Sequence, residues 1–160
     1  MGRLENRICT MTATNHTVTG IVIGLSVVNP WLAIPLAFAS HFVLDSLPHF
    51  GNRGHLSAAL RMLKFVLPFD MLLALGVLLL VLIIQPTHWP VAMASGIAAA
   101  SPDLWSIPLF VHYLQTGKAR PGTDAFARFH SKLQWGERLW GAWIELAWFV
   151  ALGSILLVKV

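Results

Sequence analysis

Between Phe65 and Ile84 the chain reads FVLPFDMLLALGVLLLVLII, broken by a single acid, Asp70. A stretch of that composition supplies the roughly 20 apolar residues with which an α-helix crosses a hydrocarbon core. In lipid every backbone N–H and C=O must be satisfied within the segment, so a helix is the conformation open to it. The rest of the chain follows it into lipid, because 56% of the 160 residues are hydrophobic and 11% are charged, far more apolar than a soluble globular domain. A second apolar segment follows Glu137 as RLWGAWIELAWFVALGSILLV, interrupted only by Glu145. Between the two, Trp89 to about Leu114 is rich in Ala, Gly and Ser, as in a centrally packed helix. Pro102 and Pro108 are placed to bend or break it.

The first fifty residues admit two arrangements. Thr17 to Val28 and Trp31 to Leu47 are apolar runs separated by Asn29-Pro30, forming either one kinked helix or two helices joined by a tight turn. Charge decides between them. Arg3 and Arg7 precede the first run, Arg53, Arg61 and Lys64 follow the second, and Lys118, Arg120, Arg128, Lys132 and Arg138 fall between 116 and 138. The connections at 29–30 and 85–90 carry no Lys or Arg. With a turn at Asn29-Pro30, five spans put every basic segment on one side, as the positive-inside rule requires. The expectation is an all-α polytopic bundle of about five transmembrane helices, with residues 1–160 forming a single domain. It belongs in a bacterial or archaeal cytoplasmic membrane, with its N-terminus cytoplasmic. Pro121-Gly122-Thr123-Asp124 predicts a turn capping a helix from near Ala125 that lies along the inner surface.

The formal charge of +4 is confined to loops, so the expected partners are membrane lipid headgroups, or further copies of the chain, and no nucleic acid. Cys9 is the one cysteine, which excludes an internal disulfide and a Cys-based zinc cluster. Ahead of the first apolar run no cleaved signal peptide is expected.

On this topology the ionisable residues gather at the inner face. His16, His41, Asp45, His49, Asp70, Asp103, His130, Glu137 and Glu145 all map there, and only His88 among the histidines maps outside. Residues four apart share a helix face, and four stripes result: Ala33, Ala37, His41, Asp45; Ser95, Ala99, Asp103; His16, Gly20, Gly24; and His130, Gln134, Glu137, Gly141, Glu145. Each joins small residues to polar ones. Gly20-x-x-x-Gly24 permits close helix approach. Imidazoles and carboxylates are costly against lipid, so the stripes should face each other around a polar pocket. Asp70 and Glu145 are expected to pair with basic residues such as Lys64 and Arg138.

Imidazole and carboxylate are the ligands of Zn and Mn, and a hydrolytic centre needs about three of them. His16, His41, Asp45, His49 and Asp103 are the candidate metal ligands, with His130 and Glu137 as candidate catalytic groups. The same residues would serve a small proton or metal-ion transporter, or a non-catalytic assembly factor in which they only hold helices together. An H-E-x-x-H protease motif and a G-x-S-x-G nucleophile element are absent from the sequence.

At SHFVLDSLPHFG (40–51) and SPDLW (101–105) the chain resembles the membrane-bound metal-dependent hydrolases of the YdjM-like type. The resemblance implies a small inner-membrane helical protein with a His near the N-terminus, matched by His16, and a Pro-Asp element, matched by Pro102-Asp103. It further implies an Arg-Gly-x-Thr-His-Ser element. Here that element is Arg53-Gly54-His55-Leu56-Ser57, one residue short and without the Thr. A metal-dependent hydrolase acting on a phosphoester or lipid headgroup is the function expected.

Overall fold

The computed structural model describes residues 11–50, 56–117 and 124–160, with the side chains of the third helix from residue 64 onward. Within them the chain is helical: α1 (Ala13–Ser26), α2 (Pro30–Asp45), α3 (Leu56–Ile84), α4 (Trp89–Ala100), α5 (Ile107–Thr116), α6 (Ala125–Leu133) and α7 (Gly141–Lys159). Two 3₁₀ segments, Ser101–Ser106 and Gln134–Gly136, carry α4 into α5 and end α6. Arg53, His55, Lys118 and Arg120 lie outside the described residues, and so does most of the shortened Arg-Gly element.

Local chemistry sets the boundaries. Asn29 accepts a hydrogen bond from Trp31 N–H at 3.0 Å and Pro30 occupies the first helical position, so the Asn-Pro pair starts a new helix. The two apolar runs are therefore separate helices, as the charge pattern requires. Pro102 and Pro108 do break the Trp89 to Leu114 segment, with α4 stopping at Ala100 and α5 starting at Ile107. α6 starts at Ala125 as predicted, capped by Asp124, whose carboxylate accepts from Ala127 N–H at 2.8 Å.

α1 is the hub of the bundle, and its two glycines press against α4. A Cβ on Gly20 would fall 2.8 Å from Gly96 Cα, and one on Gly24 would fall 2.6 Å from Ala92 Cα. The small-residue spacing thus brings two backbones into contact. At the far end Ile21, Val81, Ala92 and Leu156 close the bundle with apolar packing. A second close approach joins the ends of α2 and α7. Arg138 N–H donates to His49 O at 2.9 Å, and a Cβ on Gly136 would lie 2.5 Å from Leu47 O.

Polar side chains fill much of the interior, while large apolar ones face out. His16, His41, Asp45 and Ser95 are fully buried, whereas Trp31, Phe65 and Val158 are 80% exposed or more. Two helices are long and apolar enough to cross a membrane: the Lys64–Ile84 part of α3, with mean hydropathy 2.7, and α7, with mean hydropathy 1.9. Only 17% of each is buried, the reverse of what the central helix of a water-soluble domain shows.

Candidate metal centre

Three of the stripes read from the sequence deliver four polar groups to a common point. His41 and Asp45 project from successive turns of α2, Asp103 from the 3₁₀ segment after α4, and His130 from α6. One ligand atom from each of these four lies within 4.8 Å of the other three. The closest separations are 2.6 Å between His130 Nε2 and Asp45 Oδ2, and 3.0 Å between the Nε2 atoms of His41 and His130. His41 Nε2 stands 3.3 Å from Asp45 Oδ2 and 3.7 Å from Asp103 Oδ1. Tetrahedral ligands at 2.0–2.1 Å from one ion are about 3.3 Å apart, so these closest separations scatter about that spacing.

His16 completes the wall. Its ring stacks on that of His41 with centroids 4.0 Å apart, and its Nε2 lies 3.2 Å from Asp45 Oδ1. That contact is close but not aligned as a hydrogen bond, and His16 Nδ1 and Nε2, Asp45 Oδ1 and both Asp103 carboxylate oxygens have no hydrogen-bond partner among the described residues. Buried polar atoms are almost always paired, so five unpaired ones around a single point call for a ligand.

The protonation pattern sharpens this. His41 Nδ1 is 2.8 Å from Ala99 O. A carbonyl only accepts, so Nδ1 carries a proton, and Nε2 is the nitrogen turned toward Asp45 and His130. Donating the remote nitrogen to a backbone carbonyl is how metal-binding histidines are commonly oriented. Imidazole nitrogens and carboxylate oxygens sharing a buried point are a donor set for a divalent cation. Gln134, one turn beyond His130, sits 3.5 Å from both Asp45 Oδ2 and His130 Nε2. The sequence places it in the His130 to Glu145 stripe without marking it as a site residue. The i, i+4 spacing from His130 was the available signal.

His49 and Glu137 are buried but stand outside the group of four. His49 donates through Nδ1 to Leu47 O at 2.9 Å on the loop that α7 abuts. α2 ends at Asp45, ahead of Pro48, so His49 does not continue the His41 and Asp45 face. His130, expected as a catalytic group, is instead a full member of the four.

The expected pairing of Asp70 and Glu145 with Lys64 and Arg138 is not what the structure has. Asp70 Oδ2 accepts from Ala13 N–H at 2.6 Å, and its Oδ1 accepts from Thr14 N–H at 3.0 Å. Glu145 Oε2 accepts from Thr12 N–H at 3.1 Å and its Oε1 from Phe50 N–H at 2.7 Å. Both carboxylates therefore cap α1 from other helices, meeting the free N–H groups and positive end of its dipole. They hold the turn that carries His16. Lys64 Nζ instead lies over the Tyr113 ring, 5.6 Å from its centroid, and Arg138 donates to Glu137 O at 2.8 Å.

α6 delivers His130, so its cap matters. The Ala127 N–H and then the Trp105 indole N–H hydrogen-bond the ionised Asp124 carboxylate and hold it below the ordinary carboxylate range. A lowered folded value means stability that is present above the unfolded value of about 3.9 and lost as pH falls through the folded one. Asp124→Ala is expected to lower the thermal midpoint at neutral pH, while Asp124→Asn keeps most of it. As pH falls below ~3.9 and through the lowered folded value, the wild-type midpoint should drop toward that of Asp124→Ala. A gap that does not change with pH would show that charge at this cap is immaterial.

The described residues thus form an α-helical bundle enclosing a buried His and Asp group able to hold a divalent cation. Comparison with known protein families, curated proteins and solved structures finds no match to the chain.

Proposed function

We propose that the chain is an integral membrane, metal-dependent hydrolase of anionic phosphoesters, its centre formed by His41, Asp45, Asp103 and His130 with His16 beside them. One observation carries the reading: buried His41, Asp45, Asp103 and His130 each bring one ligand atom within 4.8 Å of the others, and both Asp103 carboxylate oxygens are without a hydrogen-bond partner among the described residues. The mixture of nitrogen and oxygen donors suits Zn or Mn. The sequence resemblance to the YdjM-like membrane hydrolases agrees with it. The topology that accompanies the reading has five passes, α1, α2, α3, α4 with α5, and α7, and an N-terminus in the cytoplasm. The outward-facing apolar side chains of α2, α3 and α7 favour lipid contact.

His41, Asp45, Asp103 and His130 would hold a divalent cation, which when bound would lower the pKa of water and polarise a phosphoryl oxygen. Asp103, 14% exposed at its side chain and the most accessible of the carboxylates at the centre, takes the proton that the attacking water gives up. As the new P–O bond forms, the P–O bond to the departing alcohol breaks and the alcohol oxygen is protonated. Asp103 returns that proton to the alcohol oxygen, while His130 stays in the ligand group. The apolar closure by Ile21, Val81, Ala92 and Leu156 opposes a path through the bundle and favours a hydrolase over a transporter.

Elemental analysis of the detergent-purified protein should find about one Zn or Mn per chain. EDTA should remove it together with hydrolysis of bis(p-nitrophenyl) phosphate, and the metal alone should restore both. Protein purified without metal, and unable to take it up, would end the proposal.

A further inference from the structure

A cavity of about 240 Å³ lies between α1, α3, α4 and α5, on the side of the metal centre bounded by Asp103. Its walls include Leu67, Met71, Ala74, Leu78, Ile97 and Phe110, all hydrocarbon, thioether or aromatic. Polar surface comes from Thr17, Ser101, Asp103 and Ser106, which belong to the elements holding the centre. Asp103 therefore belongs both to the candidate ligand group and to the cavity wall. The rim on α3 is exposed: Met71 is 45% and Leu75 51% accessible, continuous with the outward apolar face of the same helix. Its volume is below the roughly 300–1,000 Å³ of sites for compact drug-sized ligands. A slot apolar along its length, open at an apolar rim and ending at a cation site, has the chemistry of one hydrocarbon chain joined to an anionic head.

We infer that this cavity takes one acyl chain of a membrane lipid whose phosphoester headgroup reaches the metal centre. The headgroup end rests on the hydrolase reading above; the chain end rests on the cavity. Entering from the bilayer, the chain exchanges one apolar medium for another. The cavity's contribution is therefore registry, since dispersion contacts along the chain fix which ester stands beside Asp103.

The test uses the full chain in phosphatidylcholine vesicles doped with phosphatidic acid bearing a diazirine in the ester-proximal part of its acyl chain. After illumination, mass spectrometry maps the labelled residues. The inner-wall residues Ala74 and Ala100 should be labelled, as should the outward-facing Leu72 and Ile83. Leu75→Trp, at the exposed rim where no core packing is disturbed, should abolish labelling of Ala100 and leave Leu72 and Ile83 labelled. Ala74→Phe, filling the cavity from within, should do the same. Label confined to Leu72 and Ile83 in the wild type, or label on Ala100 that survives both variants, overturns the inference. Metal content of the same samples separates the two readings. Metal without cavity label overturns the chain site alone, whereas cavity label without metal overturns the hydrolase and leaves the chain site standing.

Discussion

Asp45→Asn is expected to cost at least about a hundredfold in metal affinity, beyond the 10- to 100-fold typical of residues that only support the ligands. Asp45 is fully buried and faces three histidines: His130 at 2.6 Å, His16 at 3.2 Å and His41 at 3.3 Å. Asparagine keeps the shape and removes the charge, so the fold should survive while the balance against a divalent cation does not. Circular dichroism should show unchanged helix content. Because a bound ion stabilises only the folded state, the wild-type midpoint should fall on adding EDTA, by the equivalent of about 2.7 kcal/mol if metal had been present at a hundred times its dissociation constant. The variant midpoint should not move. Metal retained at full stoichiometry by Asp45→Asn would remove this carboxylate from the coordination shell. His16→Ala, by contrast, should weaken binding less, since His16 lies outside the group of four.

Gly20→Ala should destabilise the bundle strongly. The new Cβ would meet the Ser95 carbonyl oxygen, Ala99 Cβ at 2.7 Å and Gly96 Cα at 2.8 Å. Two of the three are backbone atoms, which cannot turn aside as a flexible side chain does. Overpacking of this kind costs about 1–3 kcal/mol and occasionally more, and the upper end is expected here. Relief requires α1 to move off α4. His16, one turn earlier on the same face, then moves away from Asp45, so metal affinity should fall along with the thermal midpoint. Gly76→Ala and Gly153→Ala are the controls, because a Cβ at either meets nothing within 4 Å. Both lie inside helices, where exchanging Gly for Ala gains roughly 0.5–1 kcal/mol. Gly20→Ala behaving like these controls would mean that α1 and α4 are not in backbone contact.

The stripes at i, i+4 carried most of the site in advance. Ala33, Ala37, His41 and Asp45 are all fully buried, because a helix whose other faces are Trp, Leu and Phe can turn only one side inward. The break at Pro102 and the new start at Asn29-Pro30 follow equally from local chemistry. What local chemistry did not reveal was partnership. His130 lies on a short helix with Lys132 and Arg128 nearby, a pattern that reads as a surface helix, yet it contributes a group to the centre. Asp70 and Glu145 each have a cation close in sequence, and nothing local says that the amide groups of α1 come closer. His49 shares the polar segment ending α2 with His41 and Asp45, yet the helix stops at Asp45 and does not carry their face on to it.

What the sequence by itself determined, therefore, is which faces of which helices are hidden. That is a matter of periodicity and of the cost of placing charge against hydrocarbon, and both act within one segment. Which hidden groups meet was decided by tertiary structure, through the depth at which Gly20 and Gly24 let α1 settle on α4 and the turn that brings α6 under α2. A ligand set is specified by distances of a few ångströms between segments far apart in the chain, and no short-range pattern encodes those.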